Sequence, residues 1–409
     1  MRVFVAVAAA VFLLHTVAAF PVFTVQGTYY GAGQQLGSQA AALLRIRLQR
    51  PGINASIRPF LATSTGRNLS DNLLRTSTRL FPHLVEELQG VADGSGIAFN
   101  DVWMLNTLDE LGTYISTYNV SSNGVRGEAN TGGSSLLVEH CTDILTNSAL
   151  SPAWGHNEDG DVHDRLSNYF VNATIFEADA EGHPTAVVAE RFVSFTYAGS
   201  LAGDAYGWNH HGIALSQNAV FATQLNYFGC PGQVSARAAY GARTLDDAVR
   251  IIRYSTSANS YNLNVASTST TVLGDILSVE VDPMGILGVH SLRRQVPPSQ
   301  EPQGMLRSPY WFYHTNMYIT LATACANDPS SDHRMATLAT YAVPNATRDI
   351  AQMLGDTSDP MYPIYRDGRA PDTDVVTLTT VVYDLQQKMA MVYASNPRLG
   401  KPLLTLPLW

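Results

Sequence analysis

Glu139-His140-Cys141-Thr142-Asp143-Ile144-Leu145 and, a little further on, Gly155-His156-Asn157-Glu158-Asp159-Gly160-Asp161 are the two pieces whose reading decides the fold. A Cys-Thr pair opens a short apolar run. Thr146 to Ala153 follows, containing Asn147, Ser148 and Pro152, and a second short run then ends in polar residues. Short β-leaning runs separated by turn residues read as the two strands of a hairpin. Such a hairpin returns Asp159 towards Cys141 and sets a carboxylate and several amides beside a thiol. A cysteine at a strand start also has a plainer reading, that of a small buried hydrophobe.

Working back from this hairpin, Gly124 to Ser135 is rich in Gly, Ser, Asn and Thr and reads as an exposed loop. Upstream lie helical patterns. Gly31, Gly33 and Gly37 are spaced wrongly for a nucleotide fingerprint and read as a turn into a helix over about Gln34 to Arg50, with Leu36, Ala40, Leu43 and Leu44 on one face. Asp71 to Leu88 is helical and bent near Pro82. Met104 to Leu111 is another amphipathic segment, in which capping or surface roles are expected of Asn106 and Glu110.

Downstream, the chain is strand-rich. Tyr169–Phe176, Ala186–Ala189, Phe192–Ala198, Thr271–Val281 and Gly285–His290 lean β. Gly207–Ala219 reads as a hairpin with His210 and His211 at its tip. That pair reads as solvent-exposed, because no Cys or carboxylate stands at ligand spacing. Ser235–Arg253 is expected as one helix. Tyr310–Met317 reads as a strand, Asp332–Tyr341 and Ala346–Met353 as helices, and Val375–Asp384 with Lys388–Ala394 as a closing hairpin. The acids Glu158, Asp159, Asp161 and Asp164 beside His163 lack the Gly and terminal Glu of an EF-hand and are expected as a solvated acidic loop.

The totals set bounds. The 409 residues are 45% hydrophobic and 14% charged, enough for a large core. A formal charge of −9 argues against nucleic acid as a partner. Met1–Ala19 reads as a secretory signal peptide rather than a stable membrane anchor, with Arg2, an apolar run over Val3–Leu14, and Val17-Ala18-Ala19 before Phe20. Asn54, Asn68, Asn119, Asn172 and Asn345 head sequons, so a glycosylated protein of the extracellular space or lysosome is expected. Cys141, Cys230 and Cys325 are an odd number of thiols. Cys141 free with Cys230 paired to Cys325 is one arrangement, three unpaired thiols the other, and the first is the expectation taken here.

Cys141-Thr142-Asp143, followed by Gly155, Asn157 and Asp159, resembles the signature of the acyl-coenzyme A:6-aminopenicillanic acid acyltransferase family, a Cys-Thr pair ahead of a Gly-x-Asn-x-Asp strand. It is similar at the same place to the acid ceramidase and N-acylethanolamine acid amidase group and to the β-alanyl-dopamine hydrolases. Glu87-Leu88-Gln89-Gly90-Val91-Ala92-Asp93-Gly94 and the strand pair around Asn209 to Asn218 also resemble family segments.

The resemblance implies an α+β fold, the four-layer αββα sandwich of the N-terminal-nucleophile (Ntn) hydrolases. It implies one domain overall, cut between His140 and Cys141 into a helical chain of 20–140 and a chain of 141–409 that stay together. It makes Cys141 the nucleophile, with Asn316 and Asn218 as oxyanion donors, Asp159 holding the amine, and Thr142, Asp143 and Asn157 in support. It implies neither cofactor nor metal, and a small-molecule amide substrate of the N-acyl amine or β-alanyl amine type. Acyl transfer to an amine and a non-catalytic glycoprotein on the same fold are the alternatives. The family's late Arg is matched by spacing to Asp374, which puts a cation at that place in doubt.

Overall fold

The computed structural model describes residues 20–118, 141–147, 152–221, 223–268, 276–292, 310–323, 325–326, 328–371 and 373–409. The leader, Asn119, His140 and the loop 124–135 lie outside the described residues, as do residues 271–275 of one expected strand.

The segment before Cys141 begins with strand β1 (Val22–Gly27). Six helices follow: α1 (Tyr29–Arg47), α2 (Arg58–Leu61), α3 (Ser64–Leu80), α4 (Pro82–Ser95), α5 (Phe99–Leu105) and α6 (Leu108–Thr117). The expected bend at Pro82 is a break between two helices, with Pro82 at the first position of α4, where its missing N–H costs nothing. The glycines near residue 31 lie inside α1 rather than in a turn before it. A Cβ on Gly33 or Gly37 would fall on the backbone of Glu87 or Val91 in α4, and one on Gly90 or Gly94 on that of Tyr30 or Gln34 in α1. Small residues four apart on both helices therefore let the two backbones touch. Asn106 and Glu110, expected at the surface, are buried: Asn106 accepts from the Leu201 amide and Glu110 from the Gly232 amide.

After Cys141 come β2 (Thr142–Thr146), β3 (Ala153–Asp161), β4 (Asn168–Ala178), β5 (Pro184–Tyr197), β6 (Tyr206–Asn209) and β7 (Ile213–Ala219). Then come α7 (Gly232–Ala239), α8 (Leu245–Ser255), β8 (Tyr261–Ser267), β9 (Ile276–Val281), β10 (Leu287–Leu292) and β11 (Trp311–His314). The chain closes with α9 (Pro329–Leu338), α10 (Thr347–Leu354), β12 (Val375–Asp384), β13 (Met389–Tyr393) and β14 (Leu404–Pro407). The single helix expected over Ser235–Arg253 is two, because Thr244 caps a new start by accepting from the Asp247 amide. The two β-leaning runs at 186–189 and 192–198 merge into β5.

The strands form an eight-stranded sheet, β1-β4-β5-β6-β7-β8-β9-β10, and a six-stranded sheet, β11-β2-β3-β12-β13-β14. Alternating side chains sort into three cores. Val171, Leu215, Leu263 and Val279 meet Leu36, Leu44, Leu84 and Leu88 of the first helical layer. Trp154, Phe195, Tyr206, Val381 and Tyr383 fill the space between the sheets. Ile144 and Val382 meet Leu338, Ile350 and Leu354 of the second helical layer. The order helix, sheet, sheet, helix is the αββα sandwich expected of the Ntn fold. Segments before and after Cys141 share the first core, and β1 pairs in parallel with β4.

Arg237 bolts these segments together. Its buried guanidinium donates to Glu87 of α4 (2.8 Å) and Glu190 of β5 (2.6 Å) and stacks 4.5 Å from the centre of the Phe192 ring. Arg237→Met leaves two carboxylates buried without their cation, and breaking such a cluster costs about 3–5 kcal/mol. A urea titration is expected to show the loss as a lower midpoint.

Candidate active site

The site is built where β2 and β3 pair. Thr142 opposes Asn157, and Asp143 opposes His156. Opposed residues of an antiparallel pair share a face. Asp143 and His156 therefore point between the sheets, while Thr142 and Asn157 point towards α9 and α10. Cys141 stands just ahead of β2, 1% exposed. Its Sγ lies 3.9 Å from the main-chain oxygen of Asp159. A ring nitrogen of His156 and a carboxylate oxygen of Glu158 lie within 4.8 Å of that sulfur and of each other.

The hairpin thus brings Asp159 to Cys141 as its spacing suggests, but through the backbone. The Asp159 carboxylate turns to Thr377, which donates at 2.6 Å, and to Arg366, 3.5 Å away. Burial pushes its pKa up to about 7, against the pull of Arg366 and Thr377. A bulge between Thr377 and Thr379 in β12 lets Thr377 and Thr380 face the same way, so Thr380 donates to Asn157 (2.6 Å) beside the Thr377 contact. Asn157 in turn donates to the carbonyls of Leu354 and Ile364, fixing the segment that carries Arg366.

Arg334 of α9, fully buried, gathers the other side. Its Nη1 donates to the Cys141 carbonyl (2.6 Å) and the Thr142 hydroxyl (2.9 Å), and its Nη2 to Asn316 Oδ1 (2.9 Å). Burial and the neighbouring Arg366 guanidinium lower its pKa to about 10. Asp374, where a cation seemed missing, is exposed at the mouth of β12. Positive charge near the thiol comes from Arg334 and Arg366, elsewhere in the chain.

The two asparagines expected to face the oxyanion differ. Asn316 has spent one amide hydrogen on the Ala219 carbonyl (2.9 Å) and its oxygen on Arg334. Asn218 is wholly buried, and neither its amide nitrogen nor its amide oxygen has a hydrogen-bond partner. Buried amides are rarely left so.

The acids next to the thiol are not a solvated loop. Glu158 and Asp159 are fully buried in β3, and Asp161 and Asp164 pair with Arg50 at 2.9 Å. Asp143 accepts from Trp154 (2.8 Å), His156 (3.1 Å) and Ser216 (2.8 Å). Burial opposes its ionisation, but His156's charge and these bonds outweigh that and hold its pKa below the ordinary value. Burial alone would neutralise His156. Asp143 on Nδ1 and Glu158 on Nε2 overcome it and raise its pKa to about 10. Glu158 also accepts from Tyr197. Cys141, His156 and Glu158 have the spacing of a metal site. Both ring nitrogens of His156 are already occupied by carboxylates, however, and the imidazolium would have to lose a proton to bind an ion.

Arg334, Arg366, His156 and Tyr197 were given no role from sequence, and Glu158 was read only as part of a solvated acidic loop. The alternation of His156 and Glu158 with Asn157 and Asp159 was the one local signal for two of them. The expected disulfide is absent: Cys141, Cys230 and Cys325 are all unbridged. Cys230 is held in the first core beside Ser235 and Ser77, whereas Cys325 lies near Tyr318. His210 and His211 are half-buried, their rings 3.8 Å apart, at the tip expected for them.

Residues 146–399 match the model of the family described as acyl-coenzyme A:6-aminopenicillanic acid acyl-transferase. The chain belongs to this family. A relative from Drosophila melanogaster, the beta-alanyl-dopamine/carcinine hydrolase, is 28% identical over 401 residues, covering 95% of this chain and 96% of its own. Penicillin V acylase from Agrobacterium tumefaciens aligns over 66% of this chain and 86% of its own, at 11% identity and a TM-score of 0.35. A mutant of the conjugated bile acid hydrolase from Clostridium perfringens aligns over 65% and 96%, at 10% identity and 0.34.

Proposed function

We propose that this family member is a self-cleaved cysteine amidohydrolase of the secretory pathway, extracellular or lysosomal, that releases an amine from a β-alanyl or similar N-acyl amide through a thioester. The position of Cys141 carries the reading. It stands one residue ahead of β2, its carbonyl is pinned by Arg334, and its thiol lies among Asp159, Glu158 and His156.

Cleavage before Cys141 frees an α-amine whose ordinary pKa, about 7.7–8.0, suits it to take the thiol proton near neutrality. Asp159 anchors that end of the site. The thiolate attacks the substrate carbonyl, and Asn218, with the second amide hydrogen of Asn316, faces the oxyanion. Thr142, Asp143 and Asn157 position rather than react. The chain of 20–140 stays bound through the shared core and Arg237. The β-alanyl choice is supported by the near full-length similarity to the Drosophila hydrolase and by the acids around the thiol, which suit an ammonium on the acyl group. The Met1–Ala19 pattern supports the secretory route, as do the exposed Asn54, Asn68 and Asn345; Asn172 is half-buried in β4. Among the described residues no helix is long and apolar enough to cross a membrane.

The test is to incubate purified protein with carcinine, a β-alanyl arylalkylamine and a fatty N-acyl ethanolamine and to follow free amine by chromatography. Release from the first two alone is expected. Release only from the lipid amide would overturn the β-alanyl assignment, and no release from any would overturn the amidase reading. Asn218→Leu is expected to lower kcat by about 10²–10³. Its melting temperature should hold or rise, because two unsatisfied buried atoms are removed.

A further inference from the structure

Before its own amine is free, Cys141 cannot use that amine as a base. Its nitrogen is then an amide, which accepts no proton near neutrality. Self-cleavage therefore needs another acceptor within reach of the thiol. Asp159 offers the sulfur a main-chain oxygen, and its carboxylate is engaged with Thr377 and Arg366. Two carboxylates share the other side of the hairpin: Asp143, which accepts from Trp154, His156 and Ser216, and Glu158, whose carboxylate lies within 4.8 Å of Sγ. Hydrogen bonds of this kind are often long in resting structures and close when the reacting state forms.

We infer that Glu158 is the general base of self-cleavage, used while the Cys141 nitrogen is still in a peptide bond, with His156 and Tyr197 orienting its carboxylate. The inference rests on the self-cleavage reading above. Glu158 takes the Sγ proton. The sulfur bonds to the carbonyl carbon preceding Cys141, and the tetrahedral oxyanion forms. As the C–N bond breaks, Glu158 returns the proton to the Cys141 nitrogen, leaving a thioester and an amine. Water then hydrolyses the thioester to a carboxylate and the thiol. No oxidant or metal enters the balance.

The surroundings suit this task. Tyr197 and His156 donate to different oxygens of Glu158, which fixes the plane of the carboxylate and leaves a lone pair for the thiol. His156 is held in turn by Asp143, and Asp143 by Trp154 and Ser216, so the base is oriented through two shells. The titratable groups that act on Glu158 are His156, Tyr197, Asp143, Asp159 and Tyr206, with Asp109 and Asp204 on the side of the first helical layer. Burial raises the Glu158 pKa, and the bonds from His156 and Tyr197 oppose this. A raised carboxyl is better matched to a thiol. It accepts the proton only when ionised, so cleavage slows as pH falls through its titration.

The experiment follows conversion of full-length precursor to two chains by intact mass against time at several pH values. Wild type, Glu158→Gln and Tyr197→Phe are compared, each checked for a cooperative thermal transition. Glu158→Gln is expected to fold and to slow cleavage by about 10²–10⁴, with the acid-side fall of the rate abolished. Tyr197→Phe removes a donor to the charged carboxylate and is expected to move that fall upward by about one pH unit. A folded Glu158→Gln that cleaves at the wild-type rate overturns the inference. If Glu158→Gln does not fold, an unshifted pH profile in Tyr197→Phe overturns it instead. A wild-type chain that never cleaves removes the self-cleavage reading itself, and this inference with it.

Discussion

Cys141→Ala is expected to accumulate as one chain where the wild type yields two, the second beginning at Cys141. It should also lose amide hydrolysis by a factor on the order of 10⁵–10⁶, the usual scale for a deleted nucleophile. The fold should survive. Cys141 is tied to Arg334 through its main-chain oxygen, which alanine keeps, and the thiol's contact to the Asp159 main chain is a long one at 3.9 Å. What is removed is one sulfur from a buried site, worth about 1 kcal/mol of packing. Intact mass and N-terminal sequencing of deglycosylated protein, wild type beside mutant, read the result directly. Two chains in the mutant would show that an outside protease makes the cut. One chain in both would show that Cys141 does not process this chain, and the nucleophile role would fall with it.

The hairpin was legible because its information is local. Two short runs and a connection of turn residues define β2 and β3, and period-2 alternation then fixes which residues share a face. Thr142 opposing Asn157 follows from the pattern. The same pattern, taken one step further, would have placed His156 and Glu158 together on the opposite face from Asp159. Glu158 was read as solvated because a run of acids is usually wet, and only packing against the second sheet reveals otherwise. The bulge in β12 is invisible for a related reason: nothing in Val375-Val376-Thr377-Leu378-Thr379-Thr380 marks where an extra residue enters. The helix expected over Ser235–Arg253 failed at Thr244, whose capping hydroxyl is a local signal that was there to be used. The disulfide failed because pairing depends on where two distant loops lie, and no spacing carries that.

Arg334 is the extreme case of information that sequence does not carry, and its expected effect reaches both stability and cleavage. It sits in Pro329–Leu338 among ordinary polar residues, and its partners at Cys141 and Thr142 are 193 and 192 positions away. One planar fork serves a carbonyl, a hydroxyl and an amide oxygen, all buried, with Asp328 at 3.7 Å as counter-charge. Arg334→Met is expected to cost about 3–5 kcal/mol, since it removes the positive charge beside Asp328 and takes one donor from each of those buried acceptors. Arg334→Lys should recover part of that stability but not the geometry, because an ammonium on a flexible stem cannot reach all three acceptors in one plane. Both are best measured by urea unfolding in the Cys141→Ala background, where cleavage cannot change the molecule under study. In the otherwise wild-type chain, Arg334→Lys is expected to remain folded yet to cleave slowly. With the Cys141 carbonyl and Asn316 no longer held by one group, the nucleophile and the oxyanion donor lose their common reference. A lysine variant that folds and cleaves at the wild-type rate would show that Arg334 is only a structural bolt. A folded variant that stalls would show that α9 sets the distance between the attacking sulfur and the amide that receives the charge.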